Sequence, residues 1–158
     1  ISGKIGAAMV RGIQSANIGA TIKHFACNNK EVNRKESDSI VSERALREIY
    51  LKGFEIIVKE AKPYALMTAY NVINGHRASE CKELVTDILR DEWGFDGFVT
   101  SDWWTFGEQY KEILAGNDIK MGCGYPERVL MALEKNLITR SDLEKSVKRL
   151  LNILIKLD

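Results

Sequence analysis

Ser42-Glu43-Arg44-Ala45-Leu46-Arg47-Glu48-Ile49-Tyr50-Leu51-Lys52-Gly53-Phe54-Glu55-Ile56-Ile57-Val58, then Pro63, then Tyr64-Ala65-Leu66-Met67-Thr68-Ala69-Tyr70 is the stretch that decides the fold. Leu46, Ile49, Tyr50, Gly53, Phe54, Ile57 and Val58 recur at the spacing of one helical face, and charged residues from Glu43 to Lys59 take the other side. Pro63 cannot continue a helix, and the β-prone run beyond it predicts a buried strand. A helix followed directly by a strand is half of a crossover unit. The same alternation extends in both directions.

Toward the N-terminus, Gly19 to Phe25 is a β-prone segment, preceded by a helix from residue 3 to about residue 16 with Ile5, Ala8, Met9 and Ile13 as its apolar stripe. Residues 28–39 are polar and without period, a long loop. Toward the C-terminus, Asn74-Gly75 marks a loop, and Ser79 is placed to cap a helix carrying Leu84, Val85, Ile88, Leu89 and Trp93, with Gly94 as its stop. Gly97 to Ser101 is a strand, residues 105–115 a helix ended by Gly116, and Asp118 to Met121 a short strand. Pro126 opens a further helix. Thr139 and Asp142 start the last one, whose face is Leu143, Val147, Leu150, Leu151, Leu154 and Leu157. Four strands, each followed by a helix, predict an α/β domain with a parallel sheet.

Composition narrows the function. The chain has 158 residues, 45% hydrophobic and 28% charged, with 23 basic and 22 acidic side chains and a net charge of +1. That balance gives no electrostatic footprint for nucleic acid, and no apolar run approaches the roughly 20 residues of a membrane span. Cys27, Cys81 and Cys123 are odd in number and widely spaced, which predicts a reducing compartment, the cytoplasm, rather than a disulfide framework. His24-x-x-Cys27 lacks the second pair of ligands a zinc site needs, so no metal or other cofactor is expected. The chain opens on Ile1-Ser2-Gly3 and reads as a piece of something longer.

In parallel α/β folds ligands lie beyond the C-terminal ends of the strands. There the sequence puts Lys23-His24, Tyr70-Asn71 and Ser101-Asp102-Trp103. Each has an ordinary explanation by itself: a solvated lysine, a hydrogen-bonded core histidine, core aromatics, a helix-capping aspartate. Three successive strand ends bearing a cation pair, a phenol and a carboxylate beside an indole make a different pattern. A pyranose lays its C–H face on an aromatic ring and gives its hydroxyls to charged partners, so the combination points to carbohydrate.

The longer motifs sharpen this. Lys23-His24-Phe25-Ala26-Cys27-Asn28-Asn29, Ser42-Glu43-Arg44-Ala45-Leu46-Arg47-Glu48-Ile49-Tyr50, Met67-Thr68-Ala69-Tyr70-Asn71-Val72-Ile73-Asn74-Gly75 and Leu89-Arg90-Asp91-Glu92-Trp93-Gly94-Phe95-Asp96-Gly97-Phe98-Val99-Thr100-Ser101-Asp102-Trp103 resemble glycoside hydrolase family 3, in its β-glucosidase/β-xylosidase branch. The resemblance implies a retaining glycosidase with Asp102 as nucleophile. It further implies that Lys23 and His24 bind hydroxyls of the sugar in the −1 subsite, that Met67 and Tyr70 line that subsite, and that Trp103 is the aromatic beside the nucleophile. The family's catalytic domain is a (β/α)8-like barrel, so residues 1–158 would be its C-terminal half, strands five to eight. A half barrel or a flattened doubly wound sheet are then the two forms open to it. A distorted end of the first strand, with a cis peptide at Lys23-His24, is also implied. Two residues depart from the family pattern: Thr100 replaces an aliphatic residue, and Trp104 stands where a small residue usually follows Asp-Trp.

The general acid, a glutamate in the family, and the first barrel half would lie outside this chain, so the piece alone is expected to be inactive. Its partners would be the carbohydrate substrate, the missing half and second domain, and a second copy of itself, because a half barrel leaves two sheet edges and an inner face uncovered. A sugar-binding or interaction module that kept the fold but lost the reaction is the competing reading. A response-regulator-like domain fits less well, since it wants acidic residues where Lys23-His24 stands.

Overall fold

A computed structural model describes residues 1–122 and 124–158. Cys123, one of the three cysteines, lies outside the described residues; Cys27 and Cys81 are both free thiols. The chain begins with α1 (Ser2–Gln14), β1 (Thr21–Phe25) and a loop containing β2 (Asp38–Ser39). Next come α2 (Glu43–Ala45), a π-helical turn (Leu46–Tyr50) and α3 (Lys52–Ala61). After β3 (Ala65–Thr68), the hairpin strands β4 (Val72–Ile73) and β5 (His76–Arg77) lead through a 3₁₀ turn (Ala78–Glu80) into a π-helical segment (Glu83–Glu92). β6 (Phe98–Thr100), α4 (Gln109–Ala115), α5 (Pro126–Glu134) and α6 (Arg140–Leu157) complete it.

The main sheet is parallel, in the order β1-β3-β6. Its fourth expected strand, Asp118 to Met121, is reduced to one bridge, Thr100 to Ile119. Side chains reinforce its few backbone bonds: the Asp118 carboxylate accepts from the Val99 amide at 2.8 Å, and the Ser101 hydroxyl accepts from the Met121 amide at 3.0 Å. Ile22, Leu66 and Val99 lie in register across the sheet and are buried under the helices. On the opposite face Thr21 and Lys23 are exposed, and Met67 and Phe98 are half-buried. Neither terminal helix has crossed to cover that face, so the chain keeps the one-sided form rather than the doubly wound alternative.

Several elements depart from the sequence expectation. In the π-helical turn the Leu51 amide bonds the Leu46 carbonyl at 2.8 Å, one residue further than in an α-helix. The extra residue rotates the face: Leu51 is fully buried, while Ile49 and Tyr50, expected inside, turn outward. In α1 the stripe that packs is Gly3, Ala7 and Val10, because α3 approaches too closely for larger residues. A Cβ on Gly6 would come within 2.6 Å of Ile57. Ile5, Met9 and Ile13 therefore face out. In α6 Ser146 and Ile153 are buried, whereas Val147, Leu151 and Leu154 of the expected face are exposed. Ser79 caps nothing; its buried hydroxyl donates to Glu112.

The polar loop and the Asn74-Gly75 segment form a second small sheet, β2-β4-β5. Asn74 and Gly75 have φ of 48° and 85°, the two left-handed residues of a tight hairpin. Asn74 also bonds both the amide and the carbonyl of Val41, at 2.9 and 2.8 Å. The long loop is thereby fastened over the end of β3.

Candidate functional site

The site lies where β1, β3 and β6 end. Asp102 follows Ser101 two residues beyond β6, is 6% exposed, and accepts the Trp103 amide through Oδ1 at 2.7 Å. That bond fixes the carboxylate against its own backbone and leaves Oδ2 for neighbours. His24 Nε2 stands 3.5 Å from Asp102 Oδ2.

The end of β1 explains how His24 reaches it. In a regular strand Lys23 and His24 would point to opposite faces. Here the register of β1 on β3 shifts between Ile22 and Phe25, and the Lys23-His24 and Phe25-Ala26 peptides are both cis. Phe25 packs edge-on against Phe54 and Trp93, with ring centroids 5.1 and 5.9 Å away. His24 is turned to Asp102. Burial lowers the His24 pKa below its ordinary 6.5; the negative charge of Asp102 works against this, while the charges of Lys23 and Arg34 add to it. The ring is accordingly neutral at pH 7.

Tyr70, just past β3, is 7% exposed and lies close enough to Asp102 to feel its charge. Burial, then the Asp102 charge, raise its pKa above 10, so the phenol stays protonated. Met67 is half-buried on the same sheet face, in register with Thr100. Trp103 is 44% exposed, and its indole lies 5.5 Å from that of Trp104. Lys23 is the one predicted site residue that stands apart. It is exposed, lies by a cleft between α1 and α3, and makes no ion pair with Asp102.

Arg34 was not anticipated by sequence. Its guanidinium sits 4.7 Å from the centre of the Tyr70 ring and pairs with Glu31 at 2.8 Å. The fastened loop brings it there, adding a fixed cation near His24 and Tyr70. Lys35 follows it, 5.3 Å from the Tyr70 ring and 5.2 Å from that of Phe106.

The loop after Asp102 is constrained. Trp104 has φ of 55°, a left-handed conformation that a bulky residue adopts only when its surroundings impose it. Its indole packs on Gly122, where a Cβ would lie 2.8 Å from Trp104 Nε1. Gly122 is the space that lets a large residue follow Asp-Trp here. Beneath the loop, Glu112 and Lys120 form an ion pair at 2.9 Å with side chains 1% and 5% exposed.

Chemically, the arrangement offers a buried carboxylate with Oδ2 facing a neutral imidazole and a protonated phenol nearby. Aromatic surface and a cation lie alongside. No group of three or more His, Cys, Asp or Glu that could hold a metal occurs among the described residues. Two clefts, of about 500 Å³ between α4, α5 and α6 and about 530 Å³ between α1 and α3, are apolar helix seams away from Asp102.

Comparison with known proteins identifies the family. Residues 1–153 match the model of the glycosyl hydrolase family 3 N-terminal domain. The chain is 68% identical over 145 residues to Beta-glucosidase A of Butyrivibrio fibrisolvens, covering 92% of this chain and 18% of that protein. It is 41% identical to an exo-alpha-(1->6)-L-arabinopyranosidase of Bifidobacterium longum, covering 94% and 20%. Beta-glucosidase 3B of Thermotoga neapolitana, solved in complex with glucose, superposes with a TM-score of 0.95 at 42% identity, covering 98% of this chain and 23% of that one. The chain thus spans about a fifth of the length of the curated relatives it matches. Its sequence, its parallel half-sheet and the loops around Asp102 belong to glycosyl hydrolase family 3, within the family's N-terminal domain.

Proposed function

We propose that this chain is the nucleophile-bearing half of the catalytic barrel of a retaining β-glucosidase and works within a longer polypeptide. The observation that carries the reading is the Asp102 carboxylate, buried at the C-terminal end of the parallel sheet, with His24 Nε2 at 3.5 Å and the Tyr70 phenol beside it. The 68% identity to a protein named Beta-glucosidase A supports glucose as the sugar.

In this reading an Asp102 oxygen attacks the anomeric carbon as the glycosidic C–O bond breaks. The leaving oxygen takes its proton from an acid supplied elsewhere in the polypeptide. The glycosyl ester on Asp102 is then hydrolysed by water, giving retained configuration. The Tyr70 phenol, beside the carboxylate, helps to orient it, and the Trp103 amide fixes Oδ1. His24 and Arg34 meet sugar hydroxyls, Lys23 lying apart from them, and Met67 and Trp103 supply the apolar walls. A buried carboxylate at the end of the sheet favours a reaction over a purely sugar-binding module, which has no use for a nucleophile.

The test uses the full-length protein with 4-nitrophenyl β-glucoside and the corresponding α-L-arabinopyranoside. The glucoside is expected to be the better substrate, to give the β-anomer first by NMR, and to lose at least about 10³-fold in kcat on Asp102→Asn. Inversion at the anomeric centre, or an Asp102→Asn protein with unchanged kcat, overturns the reading. Preference for the arabinoside changes the sugar and leaves the chemistry.

A further inference from the structure

We propose that the tripeptide Ile119-Lys120-Met121, together with Glu112, is a clamp that holds Asp102 in attacking position. Lys120 and Glu112 are then positioning residues for glycosylation. The inference rests on Asp102 being the nucleophile.

Asp102 and Trp103 sit in a loop gripped on both sides by the same three residues. On the upstream side the Ser101 amide donates to the Ile119 carbonyl at 2.8 Å, and the Ser101 hydroxyl accepts from the Met121 amide at 3.0 Å. On the downstream side the Trp104 amide donates to the Met121 carbonyl at 3.1 Å. Lys120, between them, sends its ammonium under the loop to the Gly107 carbonyl at 2.9 Å, the Thr105 hydroxyl at 3.1 Å and the Glu112 carboxylate at 2.9 Å. Glu112 closes the network by accepting from Thr105 at 3.0 Å and Ser79 at 2.8 Å.

Two features make this more than a structural ion pair. The segment it anchors makes one sheet bridge to β6, so the side-chain bonds of Lys120 and Ser101 reinforce a short backbone ladder beside the nucleophile. The loop it grips also contains Trp104 in a left-handed conformation, which relaxes toward an ordinary one when the grip is released. Relaxation moves the two residues preceding Trp104, Asp102 and Trp103. Sugar hydroxyls are met mainly from β1 and the fastened loop, so the clamp governs attack rather than binding.

The experiment compares full-length wild type with Lys120→Met, the double variant Glu112→Gln/Lys120→Met, and Lys120→Arg, reacting each with a 2-deoxy-2-fluoro-β-glucosyl fluoride. The double variant keeps a neutral acceptor for Ser79 and Thr105 and leaves no unpaired buried charge, so it isolates the clamp from charge burial. The limiting inactivation rate constant is expected to fall about 10- to 100-fold in Lys120→Met and in the double variant. The inactivator's dissociation constant should stay within about twofold, and Lys120→Arg should recover part of the rate. The clamp is refuted if the folded double variant inactivates within about twofold of wild type. It is refuted equally if rate and affinity fall together. Failure of the wild type itself to react would instead strike the assignment of Asp102.

Discussion

At the residue scale the site turns on which groups carry charge. Asp102 accepts from the Trp103 amide and has the Tyr70 phenol beside it, and a hydrogen bond from that phenol to a charged carboxylate would be worth about 1.5–3 kcal/mol. Tyr70→Phe in the full-length protein is therefore expected to lower kcat roughly 10- to 100-fold with the fold intact by circular dichroism. An unchanged kcat would show that the phenol does not orient the nucleophile. His24 offers a second check. It should titrate by NMR below its ordinary 6.5, because burial penalises its charged form. Asp102 is the leading influence raising that pKa, so Asp102→Asn should move the midpoint further down; an upward move would contradict the geometry. Asp102, His24 and Tyr70 were legible in the sequence because polar side chains at the ends of apolar strands are conspicuous. Arg34 was not legible. It lies in a polar run without period, and only the pairing of Asp38 and Ser39 with Val72 and Ile73 brings it over Tyr70.

At the element scale the existence of nearly every helix and strand followed from periodicity and stop residues, and Gly94 and Gly116 do end their helices with φ of 73° and 96°. Phase was the part that failed. Leu51 went inside and Ile49 and Tyr50 outside because a π-helical turn adds a residue that no 3.6-residue pattern records. In α1 the small residues, not the large ones, make the contact, since close helix approach needs Gly3, Gly6 and Ala7. The Asp118-to-Met121 element shows side chains reinforcing a short ladder. Asp118 is 1% exposed and bonds Arg90 and Arg149, each at 2.8 Å, as well as the Val99 amide. Burial depresses the Arg90 pKa to about 10 even with Asp118 beside it, which measures how much that guanidinium depends on its partner. Asp118→Ala is expected to destabilise by about 3–5 kcal/mol, read from denaturant or thermal unfolding, because it strands a buried cation. Arg149→Met should cost less, its side chain being 27% exposed. Equal costs would show that burial is not what sets the energy.

At the scale of the whole molecule, the sheet is covered on one face, and both terminal helices carry apolar stripes facing outward: Ile5, Met9 and Ile13 on α1, Val147, Leu151 and Leu154 on α6. Apolar area of that extent, beside an open sheet face, is stable in water only when something covers it. Residues 1–158 expressed by themselves are thus expected to self-associate in light scattering and to show no β-glucosidase turnover. A monomer at all concentrations would contradict the first expectation, and activity abolished by Asp102→Ala the second. The covalent role of Asp102 is tested by trapping the full-length protein with a 2-deoxy-2-fluoro-β-glucoside and mapping the adduct by mass spectrometry. One 2-fluoroglucosyl group is expected, carried by the peptide containing Ser101-Asp102-Trp103, with fragmentation assigning it to Asp102. A label on any other carboxylate, or turnover without a covalent intermediate, would contradict it.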